Sequence, residues 1–81
     1  VDAVRNEISS LTRQRRIASE VVNDNTQMVQ AEERLFNLGE SSLFLINTRE
    51  STLISARLSE IVIENRFLMA HAELFRVLAG N

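Results

Sequence analysis

Apolar residues recur along this chain at alternating steps of three and four. In the first half, Val1, Val4, Ile8 and Leu11 form one stripe. Ile17, Val21, Met28, Ala31 and Leu35 form a second, and Ala18, Val22, Val29 and Phe36 a third beside it. This spacing belongs to an amphipathic helix. The second half opens with Leu43-Phe44-Leu45-Ile46, a run too short to be typed by periodicity. The rest of that half is helical in pattern. Ile54, Leu58, Ile61, Leu68, Ala72 and Phe75 share one face, with Asn65 interrupting it. Ala56, Ile63, Phe67, Ala70, Leu74 and Val77 share another. Two apolar stripes on one helix predict packing partners on more than one side. A lone hairpin needs only one stripe, so the pattern points to a larger bundle or helical barrel, or to hairpins that associate.

Between the two periodic segments lies Phe36-Asn37-Leu38-Gly39-Glu40-Ser41-Ser42. Gly39 is one of two glycines, the other being Gly80, and proline is absent. Glycine takes the left-handed conformation that ends a helix, and Ser41 or Ser42 can cap the next one. The chain therefore reads as all-α, a single hairpin over 1–81. Two long antiparallel helices, about 2–36 and 42–79, form a coiled coil with a tip at 37–41. At about 1.5 Å per residue each helix spans roughly 50 Å. Folding at Gly39 sets side by side positions whose numbers add to about 79, such as Val4 with Phe75, Leu11 with Leu68, Ala18 with Ile61 and Val22 with Ala56 or Arg57.

One run leaves an alternative open. Asn23-Asp24-Asn25-Thr26 is rich in side chains that compete for backbone hydrogen bonds. It either breaks the first helix, with Thr26 as a cap and three helices in all, or stays inside one long helix. The heptad steps from Val22 to Val29 to Phe36 cross it without interruption.

Composition narrows the function classes. The net charge is −2, all nine strongly basic residues are arginine, and cysteine is absent. A nucleic-acid partner is not expected without a basic excess. No apolar run reaches the roughly 18 residues of a membrane span. The Arg13-Gln14-Arg15-Arg16 cluster reads either as a solvated or ion-paired helix face or as a patch for an acidic partner. Charges on the second helix are scattered in mixed sign and include i to i+3 pairs such as Arg57 with Glu60.

Candidate chemistry is sparse. His71 stands alone, without cysteines or an HExxH frame, and reads as a helical histidine rather than a ligand. Glu32 and Glu33 have no matching ExxH, so a di-metal carboxylate bundle is unsupported. Ser41 and Ser42 lack the glycines of a nucleophile elbow. No enzyme activity and no cofactor are expected.

The tip carries a resemblance. Ala31-Glu32-Glu33-Arg34-Leu35-Phe36-Asn37-Leu38-Gly39-Glu40-Ser41-Ser42-Leu43, followed by Arg49, Leu53 and Ala56 and ending in Leu78-Ala79-Gly80, resembles the C-terminal repeat of the TolC family of outer-membrane efflux and secretion channels. The likeness covers the end of the first arm and most of the second; Val1 to Gln30 fits only as a helix. It implies that the chain is an excised piece of a larger channel, a trimer with a β-barrel in the outer membrane and an α-helical barrel in the periplasm. The hairpin would be one coiled coil of that barrel. Its tip, with Phe36, Leu38, Gly39, Ser41 and Ser42, would face a periplasmic adaptor protein. Two departures stand out. Phe44-Leu45-Ile46 replaces the usual Asp-Val-Leu, and Phe36 and Ser41 stand where some members carry gate-locking tyrosine and arginine. A phenyl ring offers no hydroxyl and serine no charge, so no polar lock of that kind is expected. Composition and periodicity alone equally suit an antiparallel coiled-coil module that dimerises into a four-helix bundle. The apolar stripes, left without barrel neighbours, would pair with another copy.

Overall fold

The computed structural model describes residues 1–80. Two helices, α1 (Asp2–Asn37) and α2 (Leu43–Ala79), pack antiparallel. The hairpin measures 64 × 14 × 13 Å between its outermost backbone positions. The two helix boundaries beside the tip fall one residue later than the sequence pattern suggests, and the outer two fall where it puts them, so the tip spans 38–42.

α1 does not break at Asn23–Thr26. The weak helix formers there are accommodated by bonding back along their own helix. Asn25 Nδ2 donates to the Val21 carbonyl and Thr26 Oγ1 to the Val22 carbonyl, both at 2.8 Å. Thr12, Thr48 and Thr52 do the same. A side chain that finds its partner one turn back no longer competes with the helix ladder.

The interhelical seam is a single regular stripe on each helix. On α1 it runs through Ile8, Leu11, Ala18, Val22, Val29 and Glu32, and on α2 through Ile46, Leu53, Ala56, Ile63, Phe67, Ala70 and Leu74. Leu11, Ala18, Val29, Ile46, Leu53 and Ala70 are the buried apolar residues among those described. Alanines at the seam let the two backbones approach closely. The core is one layer thick, and no large side chain of the described residues is fully enclosed.

The pairing differs from the one drawn from the sequence. Leu68, Ile61 and Phe75, expected opposite Leu11, Ala18 and Val4, are exposed. The seam of α2 instead uses the neighbouring stripe. The cross-helix pairs Arg15–Glu64, Glu32–Arg49 and Arg15–Phe67 add to 79, 81 and 82, and Val22 and Ala56, expected together, both lie in the seam. The arms thus keep close to the expected register, and what differs is the face of α2 turned toward α1. The cause lies beside the tip. The seam stripe extends back through Leu53 to Ile46, whereas the rival stripe continues back into Ser51 and Asn47. The rival stripe becomes apolar again only at Phe44, so the first gives the unbroken apolar contact beside the tip, and the heptad steps then carry that phase along the arm.

Candidate docking tip

The turn is built by its backbone first. Leu38 ends α1 near the bridge conformation, and Gly39 comes next with φ +77°. The Glu40 N–H donates to the Leu35 carbonyl at 2.8 Å, and the Gly39 N–H to the Phe36 carbonyl at 2.9 Å. This pair of bonds is a Schellman motif, which satisfies carbonyls that the helix end would leave open. Ser42, in extended conformation, then caps α2: its Oγ accepts from the Leu45 N–H at 3.2 Å. Of the two candidate caps, Ser42 takes the role.

Ser41 is turned inward. Its hydroxyl donates to Glu32 Oε2 at 2.6 Å, and Arg49 Nε donates to Glu32 Oε1 at 3.2 Å. Arg49 also reaches the Met28 sulfur at 3.7 Å. Glu32 is the one buried charged residue among those described. The Ser41 hydroxyl, and after it the Arg49 guanidinium, hold the Glu32 carboxyl below its ordinary range, against the opposing effect of burial. One carboxylate thus ties the last turns of α1 to the loop and to the second turn of α2. Sequence spacing alone does not show this cluster. Glu32 and Arg49 meet only once the hairpin register is known.

The five sequence-selected tip residues therefore divide by role. Gly39 and Ser42 shape the turn, and Ser41 fastens it. Leu38 is 72% exposed, while Phe36 is exposed but lies back along α1. Leu43 and Phe44, which the sequence reading did not select, are also exposed beside the turn. The outward apolar surface of the tip is thus Leu38, Leu43 and Phe44, carried on a clamped loop. Such a surface can bind a partner through apolar contact, and nothing in it supplies a nucleophile or an acid–base pair.

Along the arms, Arg15 of the basic cluster pairs with Glu64, Nε to Oε2 at 2.7 Å, and lies 4.0 Å from the centroid of the Phe67 ring. Arg13 donates to Ser9 Oγ. Arg15 accordingly follows the ion-paired reading of that cluster. The same-helix ion pair of α2 among the described residues is Glu73–Arg76, not Arg57–Glu60. His71 rests edge-on against Phe67 with ring centroids 4.4 Å apart. No described group of histidine, aspartate or glutamate residues is arranged to hold a metal ion, and no described helix is long and apolar enough to cross a membrane.

An open groove along one flank is lined by Ile17 and Val21 of α1 with Thr52, Ser55, Ser59 and Ile63 of α2. The opposite flank is polar, with Arg15 and Arg16 facing Glu60 and Glu64. Nearly opposite the seam, the outer face of α2 carries Ile54, Leu58, Ile61, Leu68 and Phe75, all more than half exposed. No protein-family model, curated protein or solved structure matches this chain.

Proposed function

We propose that the hairpin is a wall segment of a TolC-like outer-membrane channel. In this reading it is a periplasmic coiled coil that helps to form the exit duct of a tripartite efflux or type I secretion system. It belongs to a homo-oligomeric parent, a trimer by resemblance, and meets a periplasmic adaptor protein at its tip. The role is transport without catalysis. The observation that carries the reading is the apolar outer face of α2. A helix in the wall of a barrel needs neighbours on both sides, and α2 has one apolar stripe in the seam and a second facing away from it. The resemblance of the tip then selects a channel among helical assemblies.

The test uses the exposed tip without disturbing the turn. Leu38→Glu in the intact channel protein is expected to reduce adaptor pull-down and drug export at least tenfold while leaving trimer assembly unchanged. Undiminished export and pull-down would overturn the tip assignment.

A second reading is an oligomerisation module with no transport role. It is favoured by the same α2 face, which a copy of the hairpin could cover as well as a barrel neighbour. A fluorescent-dye efflux assay separates the two, since deletion of the hairpin abolishes export only in the first.

A further inference from the structure

We propose that the outer face of α2 is a self-association surface, on which a second copy of the chain docks its own α2 antiparallel across a two-fold axis. This deepens the second reading, of the hairpin as an oligomerisation module, and rests on it in taking another copy as the cover of that face; a two-fold antiparallel contact does not arise between the copies of a cyclic trimer.

The face is large, and its two central rows carry no charge. Its heptad positions are Phe44, Ser51, Leu58, Asn65 and Ala72 on one row and Asn47, Ile54, Ile61, Leu68 and Phe75 on the other, with Val62 and Met69 alongside. None of the charged residues of α2 falls on those two rows; Arg76 continues the row of Val62 and Met69 and is paired with Glu73. Eight large apolar side chains here are between 47% and 76% exposed. At on the order of 100 Å² each, they offer roughly 800 Å² per copy, the area that stable complexes bury on each partner. A free surface of this extent on so thin a hairpin is a docking surface rather than a solvated one.

Charge complementarity selects the arrangement. In an antiparallel coil one row packs against the other row of the partner. The register that sets Leu58 against the partner's Ile61 also sets Phe44 against the partner's Phe75. These are the two most exposed phenylalanines, at 76% and 75%. The two-fold axis then passes level with the step from Ser59 to Glu60, close to Val62. On the flank, Arg57 faces the partner's Glu64, and Glu50 faces the partner's His71. Glu64 already holds Arg15, yet its side chain stays 41% exposed and can accept a second guanidinium. Sliding by one heptad in either direction brings Glu64 against Glu64 or Arg57 against Arg57, which is repulsive. A parallel pair forms no flanking ion pairs, because Arg57 and Glu64 would then face Val62 and Met69. The favoured register places the four helices in the order α1, α2, α2 of the partner, α1 of the partner. That is a row of helices and not a compact bundle.

The experiment uses the 81-residue chain. Analytical ultracentrifugation is expected to show a dimer, and Ile61→Glu is expected to weaken it at least a hundredfold while circular dichroism stays helical. A monomeric wild-type chain overturns the proposal, as does a dimer indifferent to Ile61→Glu, while the channel reading stands or falls separately on the efflux assay. Register and direction are read separately from spin labels, one per chain, at Val62→Cys or Thr48→Cys. Labels at 62 are expected within about 20 Å of each other. Labels at 48 are expected about 35 Å apart, since roughly 23 residues at about 1.5 Å separate them along the axis. Two short distances mean a parallel pair. A distance at 48 displaced by about 10 Å means a register shifted by a heptad. Either result overturns the arrangement while leaving the face an interface.

Discussion

Gly39 offers a clean measurement of what the turn demands of its backbone. The residue sits at φ +77°, and a methyl group built on it meets no other atom within 4 Å. Replacement by L-alanine therefore creates no clash beyond its own peptide units. The whole penalty is that of holding an L-residue in the left-handed region, about 1 to 2 kcal/mol. Against this, alanine reduces the freedom of the unfolded chain, a gain of about 0.4 to 1 kcal/mol. The difference leaves Gly39→Ala destabilised by about 1 kcal/mol, or about 4 to 8 °C in melting temperature for a chain of this size. D-Alanine at the same position, placed by chemical ligation, fits the positive φ without strain. It keeps the entropic gain, so that variant is expected to be more stable than the parent chain by about 0.5 kcal/mol. Urea denaturation followed by circular dichroism reads both, at one fixed protein concentration so that association does not enter. The opposite signs for the two mirror-image residues are the signature. Equal losses for L- and D-alanine would mean that a contact, not backbone handedness, sets the cost, and the account of the turn would fail.

Three other outcomes are expected. Ser42→Ala removes the side-chain cap of α2 and should cost about 1 kcal/mol in the same urea assay, while Ser42→Asp should restore it. Glu32 has its carboxyl lowered by Ser41 and Arg49, so its contribution is present above the ordinary glutamate range, near about 4.3, and is lost as pH falls through the lower folded value. Stability measured from pH 7 to pH 2 should fall less steeply in Glu32→Gln than in the parent chain, and superimposable slopes would contradict the clasp. Leu11→Ala, at a buried seam position, should cost about 2 to 3 kcal/mol. Leu68→Ala should change the stability of the monomeric hairpin by less than about 0.5 kcal/mol, and comparable losses would restore the Leu11–Leu68 pairing.

Much of this molecule was legible before folding because its signals are local. The three-four spacing specified two helices, and a single internal glycine without competing prolines specified where they part. Serine chemistry narrowed the cap to two neighbours. These features come from the period of one helix and from the torsional freedom of one residue, which neighbours in space hardly alter. Gly39 as the turn residue and Ser42 as a cap were legible for the same reason, by their closeness in the chain.

What the sequence could not decide was which of two equally regular stripes of α2 would be buried. Periodicity fixes the spacing of a stripe but not its phase against a partner. That phase came from the tertiary contact beside the turn, where Ile46 and Leu53 continue one stripe and Asn47 and Ser51 interrupt the other. The same register brought Glu32 to Ser41 and Arg49 and left Ile54, Leu58, Ile61, Leu68 and Phe75 facing outward. Each residue turns a helix by about 100°, so an offset of a single position moves an entire stripe from core to surface. Local patterns determined that this chain is a hairpin, and packing between its arms decided which surface it presents.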